Sequence, residues 1–390
     1  MTAREFVVVL GIVILQACLG GTYAWSLFDA KLVSLGLIDP RFGSLPFNVF
    51  YFMFPLTLLW ARKVISVIGT QYTAMLGLSL YALGWASSAL TDGSLVALTL
   101  GVGVFGGVGI GLSYLVPIIV GISWFPRHVG VITGMAVGGF AAGAAFVSAI
   151  AEYALEVKGL VPTHVLSLIG GLFFIVGIVP AFLMKSKQVE AYSSVSVIQE
   201  MSYRNLVANP YFSHLFIAMA IGLTAGFFIN SKLIALADLF APSMVSLLVV
   251  FAISNALGRI VWGAICDRAS TIAVIRINLI FQAVGLAIFF SFSQWIYAAL
   301  LLAAFSGFNY GGVLVLYAVA CKEHWGERHF TKAYSLLFLA NIIGALASGA
   351  LSVAYQVWGI VFVITFIVSG LLIACYLLRP PRECVVSTQH

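Results

Sequence analysis

Long apolar segments separated by short polar ones make up most of the chain. A membrane-spanning α-helix needs about 20 predominantly apolar residues, and the sequence offers twelve such windows between its charged and turn-forming residues. They fall at 6–28, 44–61, 70–90, 94–123, 128–152, 163–184, 210–237, 242–266, 270–292, 294–319, 331–355 and 358–378. This pattern predicts an all-α membrane protein with twelve transmembrane helices. The first window is longer than a signal-peptide core of about 7–15 residues, so we expect it to remain as the first helix.

The composition agrees with a membrane protein and offers nothing for catalysis. Of the 390 residues, 62% are hydrophobic and only 8% are charged, whereas a soluble domain averages roughly a quarter charged residues. Lipid is therefore expected to cover the apolar surface. The five cysteines are odd in number and have no metal-ligand spacing, which is typical of small apolar filler residues. Without an HExxH motif or a Ser, His and carboxylate set, we predict no enzyme, no metal and no cofactor.

The positions of lysine and arginine predict the orientation, because these residues collect in short cytoplasmic loops. One side of the predicted helices carries only Lys31, Arg41 and Lys158. The side shared by the two termini carries Arg4, Arg62, Lys63, Arg127, Lys185, Lys187, Arg204, Arg268, Arg276, Lys322, Arg328, Lys332, Arg379 and Arg382. Both termini are therefore expected in the cytoplasm, and the formal charge of +6 reflects topology and not a nucleic-acid partner. Short loops without glycosylation sequons favour the plasma (cell inner) membrane of a prokaryote, and we expect the protein to be a monomer.

The chain contains an internal repeat. A shift of about 200 residues aligns Trp124, Arg127 and His128 with Trp325, Arg328 and His329, and Gly143 with Gly344. Such self-similarity indicates a duplication of six helices. The prediction is an N-terminal six-helix bundle at 1–184, an amphipathic cytoplasmic linker at 185–209, a C-terminal six-helix bundle at 210–379 and a cytoplasmic tail at 380–390.

Arg259 is a charge predicted to lie deep in the membrane. It stands eight residues before Asp267, hence roughly 12 Å from the inner boundary of a layer about 30 Å thick. A central arginine costs about 2.5–3.5 kcal/mol on insertion scales and usually faces a cavity or a partner. The acidic residues of the sequence all fall near helix ends, which favours an anionic substrate as the missing partner. The alternative is a structural arginine held by backbone carbonyls or a neighbouring helix.

Four polar residues fall at the depth of Arg259 and are predicted to surround it. Asn255 lies one turn earlier on the same helix face. The others are Tyr114, Tyr310 and Asn341, nine to eleven residues from the inner ends of their windows. Ordinary hydrogen bonding between packed helices is the alternative role for each. Lys232 lies further out, where its side chain can reach the interface.

Several segments resemble the oxalate:formate antiporter and monocarboxylate transporter branch of the major facilitator superfamily. The residues are Gly21 to Trp25, Gly109 to Pro117 followed by Trp124 to Pro126 and Gly134, and Asn255 with Arg259. The resemblance implies the twelve-helix major facilitator fold, with substrate bound between two pseudo-symmetric bundles. Gly263, Asp267 and Arg268 are similar to the superfamily's cytoplasmic gating motif, whereas the loop after the second window has Arg62 and Lys63 but no Asp.

The same resemblance implies a carboxylate held by Arg259, with Tyr23, Tyr114 and Phe338 around it. Two departures matter: oxalate carriers have a Lys where this chain has Asn341, and many proton-coupled carriers have an acid where Asn255 stands. With one central cation, a dianion would be poorly compensated.

The leading hypothesis is therefore a secondary transporter of a small organic anion such as lactate, pyruvate or formate. Coupling to protons, exchange against a counter-anion and uniport all stay open. The alternatives are a major facilitator carrier of a neutral or drug-like solute, and a sensor built on this scaffold, for which the short tail offers no output domain. A cation carrier is expected to show an intramembrane Asp or Glu, and none lies in the interior of a window.

Overall fold

The computed structural model describes residues 2–39, 41–186, 201–240, 247–291 and 297–378. Within these ranges the regular elements are helical, without strands. In chain order the α-helices are α1 (Ala3–Leu19), α2 (Trp25–Ser34), α3 (Leu45–Ala86), α4 (Leu95–Leu98), α5 (Gly106–Ser113), α6 (Leu115–Trp124), α7 (Val129–Glu152), α8 (Pro162–Phe182), α9 (Tyr203–Val207), α10 (Pro210–Phe240), α11 (Leu247–Cys266), α12 (Thr271–Ser291), α13 (Ala298–Leu337) and α14 (Ala340–Leu377). The 3-10 segments Gly20–Ala24 and Ser87–Leu90 and the π-helical segments Thr99–Phe105 and Tyr153–Val157 extend some of them.

Twelve transmembrane segments result when the long helical spans are divided at their glycines. Nine spans among the described residues are long and apolar enough to cross a membrane. Leu45–Leu90 contains a non-helical residue at Gly69, and Ala298–Leu377 contains two, Gly326 and Gly359. Gly69 has φ 80° and ψ 171°, a conformation that is essentially restricted to glycine. One break divides the first span into two segments, and two breaks divide the second into three. The number of transmembrane segments thereby rises from nine to twelve, as the apolar windows predict.

The boundaries of some windows were wrong. Arg62 and Lys63 were expected in a loop after residue 61, yet they lie inside α3, which continues to the break at Gly69. Lys322 likewise lies inside α13 and not after a helix ending at 319. Lysine and arginine are good helix formers, so charge ends the apolar window but not the helix.

Equivalent glycine contacts in the two halves agree with the internal duplication. A methyl group on Gly143 in α7 would overlap the carbonyl oxygen of Ala17 in α1. In the second half, a methyl group on Gly344 in α14 would lie 2.9 Å from Cβ of Leu223 in α10. The two glycines are related by the repeat, and α1 and α10 are the first membrane helices of each half. The chain forms two six-helix bundles related by pseudo-symmetry.

The predicted linker is described only in part. Residues 187–200 lie outside the described ranges, as does the predicted tail at 380–390. Within the rest, α9 buries Leu206 fully, and the Tyr203 hydroxyl donates a hydrogen bond of 3.2 Å to the carbonyl oxygen of Leu59 in α3. The segment after the gap therefore lies against the first bundle. The exact domain boundaries stay predictions.

The two ends of the molecule differ in charge. At one end Arg127, Arg268 and Lys322 line a cavity of about 400 Å³ between the bundles, and this end is called the basic side below. At the opposite end, Lys31 pairs with Glu156 at 3.1 Å and Arg41 with Asp39 at 2.7 Å. The orientation of the two ends in the membrane stays a prediction.

Candidate functional site

A cavity of about 680 Å³ lies between the two bundles and opens away from the basic side. Asn48, near the start of α3, and Asn230 in α10 are exposed at its mouth. Asn255 and Arg259 line its floor and are 7% and 5% exposed. The cavity therefore extends from the buried side chains of Asn255 and Arg259 to the exposed amides of Asn48 and Asn230.

Arg259 lies where α11 faces this cavity, and its guanidinium is held from two directions. Its Nε donates a hydrogen bond of 2.8 Å to Oδ1 of Asn255, one turn earlier on α11. Its Nη1 donates to the carbonyl oxygen of Val137 in α7, a helix of the other bundle. A guanidinium has five N–H groups, so three remain without a hydrogen-bond partner among the described residues.

The sequence left open a purely structural role for Arg259, in which backbone carbonyls of a neighbouring helix hold it. The bond to Val137 is a contact of this kind. It leaves the charge without compensation, since Arg259 has no ion pair within the described residues. Among the described residues that line the cavity, Arg259 is also the one with a full charge; no Asp, Glu, His or Lys joins it. The arrangement is a fixed cation with free donors at the floor of an open cavity.

The structure brings six of the seven predicted substrate-binding residues to this cavity, namely Arg259, Asn255, Tyr114, Tyr310, Asn341 and Phe338. The side chain of the seventh, Tyr23, lies outside the described part of the chain, as does that of Lys232. Gln16 in α1 donates a hydrogen bond of 3.1 Å to the carbonyl oxygen of Tyr114.

The predicted residues on the second bundle are positioned by their own helices. Nδ2 of Asn341 donates a bond of 2.9 Å to the carbonyl oxygen of Phe338, across the short break between α13 and α14. The ring of Tyr310 packs against α10 at Gly226, where a side chain would overlap it. These contacts fix the direction in which each group faces the cavity.

Sequence reasoning missed most of the aromatic lining. Beyond the predicted residues, the cavity is lined by Phe47, Tyr51, Phe52, Phe54, Phe140, Phe227 and Phe251. The signal for three of them was present: Phe47, Tyr51 and Phe54 recur at intervals of four and three residues, which places them on one helix face. In a window composed almost wholly of apolar residues, this stripe did not stand out.

The cavity is closed on the basic side by a contact between the bundles. Asp267, at the end of α11, accepts hydrogen bonds from the backbone N–H groups of Gly130 at 2.6 Å and Val131 at 2.9 Å. These residues form the first turn of α7, whose N-cap residue His128 makes no side-chain cap bond. The carboxylate thus satisfies free N–H groups and faces the positive end of the helix dipole.

Glycines let α7 and α11 touch at this closed end. A methyl group on Gly130 would overlap the backbone of Gly263, and a methyl on Gly263 would overlap that of Gly130. One turn on, a methyl group on Gly134 would likewise overlap the carbonyl oxygen of Arg259. Two residues of the predicted gating motif, Gly263 and Asp267, therefore lie in this contact between the bundles. The third, Arg268, is exposed, and its side chain makes no hydrogen bond or ion pair within the described ranges.

Groups of three or more His, Cys, Asp or Glu able to hold a metal are absent from the described residues. The four described cysteines, Cys18, Cys266, Cys321 and Cys375, are free and buried.

Comparisons with known proteins identify the fold and the family. The family model of the Major Facilitator Superfamily matches residues 8–341 and 215–388. The major-facilitator-type transporter YhjX of Escherichia coli K12 is 27% identical over 352 residues, which are 88% of this chain and 86% of the relative. The oxalate:formate antiporter of Oxalobacter formigenes is 21% identical over 405 residues, with 97% and 92% of the two chains covered.

A solved structure adds evidence for the fold alone. A bacterial homologue of the iron transporter ferroportin, in an outward-facing state, superposes with a TM-score of 0.71 at 16% identity. The match covers 97% of this chain and 98% of that one. The chain is therefore a membrane transporter and not an enzyme, and it belongs to the Major Facilitator Superfamily.

Proposed function

We propose that the chain transports a small organic anion, a monocarboxylate such as lactate, pyruvate or formate, by alternating access between its two bundles. Arg259 binds the carboxylate, and Asn255, Tyr114, Tyr310, Asn341, Tyr23 and Phe338 surround the bound anion. Gly263 and Asp267 close the cavity on the basic side while it is open on the other.

The observation that carries this proposal is the uncompensated charge of Arg259. The side chain is 5% exposed, lines a cavity of about 680 Å³ and has no ion pair within the described residues. A buried charge without a partner is unfavourable, and an anion supplied through the open side would provide the partner. The aromatic lining also suits a neutral amphipathic solute, but such a solute would leave the arginine uncompensated.

The number of charges favours a monoanion. Arg259 is the one charged residue of the described lining, and Asn341 is neutral. The second carboxylate of a dianion such as oxalate would face aromatic rings and amides, where its desolvation would not be repaid. The name of one relative, the oxalate:formate antiporter, contains both a dianion, oxalate, and a monoanion, formate. We propose that this chain carries monoanions.

The cavity lining also bears on how substrate transport is coupled to a proton or a counter-anion. The described lining contains no carboxylate or imidazole able to carry a proton. We therefore propose that a proton enters together with the substrate, or that a counter-anion is exchanged for it.

The proposal includes the orientation in the membrane. The basic side faces the cytoplasm, the two termini with it, and the open cavity faces outward. The protein is then a monomeric multi-pass protein of the plasma membrane, since one chain encloses the whole cavity.

Uptake in liposomes tests the proposal. We would measure labelled lactate entering reconstituted vesicles, with and without an inward proton gradient, for the wild type and for Arg259→Gln. Saturable uptake that short monocarboxylates compete for, and that Arg259→Gln abolishes, is the expected result. A response to the gradient distinguishes proton coupling from exchange. Uptake that is indifferent to the substitution would make Arg259 a structural residue, and saturable oxalate uptake without lactate uptake would overturn the monoanion assignment.

A further inference from the structure

We propose that the preferred substrate is a monocarboxylate with a ring-sized apolar body, such as an aryl-substituted acid, and that formate and lactate are weak ligands of the same site. This inference rests on the proposed function, because it assumes that Arg259 binds the carboxylate.

The first step is the size of the site. The cavity of about 680 Å³ falls within the range of roughly 300–1,000 Å³ that encloses drug-sized ligands. Formate has one carbon atom and lactate three, so either acid would contact the guanidinium and leave most of the walls unused.

The second step concerns the aromatic lining, which forms two walls. The first wall is built around Tyr114. Its ring lies 5.1 Å from that of Phe54, 5.3 Å from Phe338 and 5.5 Å from Phe140, measured between centroids. Phe54 and Phe338 are themselves 5.1 Å apart. Three of these rings come from the first bundle and Phe338 from the second, so a single packed wall spans both bundles.

The second wall consists of three rings of the C-terminal bundle and one of the N-terminal bundle. The Tyr310 ring lies 5.6 Å from Phe227 and 5.9 Å from Phe251. Phe227 also meets Tyr51 of the first bundle edge to face at 6.0 Å. All four side chains line the cavity. Aromatic rings attract another ring placed offset or edge to face, so these walls suit a ligand that carries a ring.

The third step is the distribution of polar groups. The single charge and its partner Asn255 lie at the floor, while the exposed amides of Asn48 and Asn230 lie at the mouth. Between these levels the lining is predominantly aromatic. A ligand with one charged end and an apolar body matches this order. Burying a body of phenyl size corresponds to about a tenfold to hundredfold gain in affinity.

Competition against labelled lactate tests this inference. Formate, lactate, phenylacetate and the neutral phenylacetamide would be added to proteoliposomes at pH 7.5, with uptake by protein-free vesicles subtracted. Phenylacetate is expected to inhibit at a concentration at least tenfold lower than unlabelled lactate, and phenylacetamide is expected to have little effect because it lacks the carboxylate.

Variants separate the two parts of the site. Phe227→Ala is expected to remove most of the advantage of phenylacetate while lactate still competes. The control Phe366→Ala removes a ring that is 60% exposed and lies outside the cavity lining, and it should leave the order of inhibitors unchanged. Arg259→Gln is expected to abolish uptake of labelled lactate, so its effect on the aryl acid is read as loss of labelled phenylacetate binding to the purified protein.

Two results would overturn the inference. If formate and lactate compete as well as phenylacetate while Arg259→Gln still abolishes uptake, the proposed function stands and the ring-sized substrate does not. If labelled lactate does not enter at all, binding of labelled phenylacetate to purified protein is measured directly, and its absence likewise ends the inference. Binding that Phe227→Ala weakens and Phe366→Ala does not would support it.

Discussion

Asp267 accepts a hydrogen bond of 2.6 Å from the backbone N–H of Gly130, and the two residues belong to different bundles. The carboxylate of Asp267, which follows α11, thereby caps the N-terminus of α7. The N-cap residue of α7, His128, provides no side-chain cap bond. Because the bond from Gly130 to Asp267 joins the two bundles, separating them on the basic side would break it. The free energy of capping α7 would therefore stabilise the state that is closed on the basic side relative to the state that is open there.

Asp267→Asn is therefore expected to shift this equilibrium toward opening of the basic side. The substitution removes the charge that faces the helix dipole and one of the two accepting oxygens, a loss of about 1–2 kcal/mol. That loss corresponds to a change of roughly fivefold to thirtyfold in the ratio of the two states. Spin labels on Pro126→Cys and Ala269→Cys, which line the basic cavity from different bundles, report the ratio as a distance distribution, in a Cys384→Ser background.

Arg268→Gln is the matched control for this measurement. Arg268 neighbours Asp267 in sequence but is exposed, and its side chain makes no hydrogen bond or ion pair among the described residues. Its distance distribution should stay that of the wild type. If Asp267→Asn also leaves the distribution unchanged, the cap does not stabilise the closed state.

Gly130→Ala should prevent the basic side from closing. The added methyl would overlap the backbone carbonyl of Gly263, and two backbones cannot give way as a flexible side chain can. We expect the long-distance population to dominate and lactate uptake to fall at least about tenfold, because a shift of a few kcal/mol depopulates one of the two required states. Gly138→Ala makes the same change two turns along the helix, where the methyl would lie 3.8 Å from the Ala256 oxygen. Equal loss in both variants would contradict the contact-based explanation.

The helices and the central arginine were predictable because both leave strong signals in sequence. Apolar windows of membrane length are unmistakable, and Arg259 interrupts one of them near its middle. The partners of the arginine were only half predictable. Asn255 follows from helical spacing, whereas the Val137 carbonyl comes from a helix more than a hundred residues away and carries no side-chain signal.

The aromatic walls and the gate show the same limit. Phe227, Phe251 and Phe140 resemble any lipid-facing phenylalanine in a sequence, because apolar residues face both lipid and cavity in membrane helices. Asp267 was assigned to a gating motif by resemblance, but its partners are two backbone N–H groups of α7. Contacts with backbone atoms depend on how the bundles pack and not on residue type.

Tyr203→Ala should destabilise the folded protein. The ring of Tyr203 lies 4.4 Å from Nζ of Lys332, a lysine only 7% exposed, and its hydroxyl bonds to the Leu59 carbonyl in the other bundle. Loss of the ring removes a cation–π contact of about 0.5–2 kcal/mol and the bridge between bundles. Thermal unfolding in detergent should show a melting temperature lowered by a few degrees. Tyr203→Phe keeps the ring over Lys332 and is expected to recover most of the loss; if it is as unstable as the alanine variant, the hydroxyl bond carries the effect.

Asn255→Asp should weaken substrate binding although it adds a polar group of the same shape. The amide oxygen of Asn255 already accepts a bond of 2.8 Å from Nε of Arg259, so a carboxylate there would form an ion pair with the arginine. A substrate anion would then meet a site with no net charge and a neighbouring negative charge, a repulsion of up to about 4 kcal/mol at an effective dielectric constant of 20. The half-saturation concentration for lactate should rise at least tenfold, measured by uptake at graded concentrations.

Asn48→Asp provides the same change of charge in the same cavity but at its exposed mouth. Water screens a charge at that position, so the half-saturation concentration should rise by no more than about threefold. An equal effect of both substitutions would mean that the anion responds to the charge of the whole cavity. A specific effect of Asn255→Asp, combined with loss of uptake in Arg259→Gln, would locate the carboxylate at Arg259, since only a group in contact with that guanidinium would compete with it at this strength.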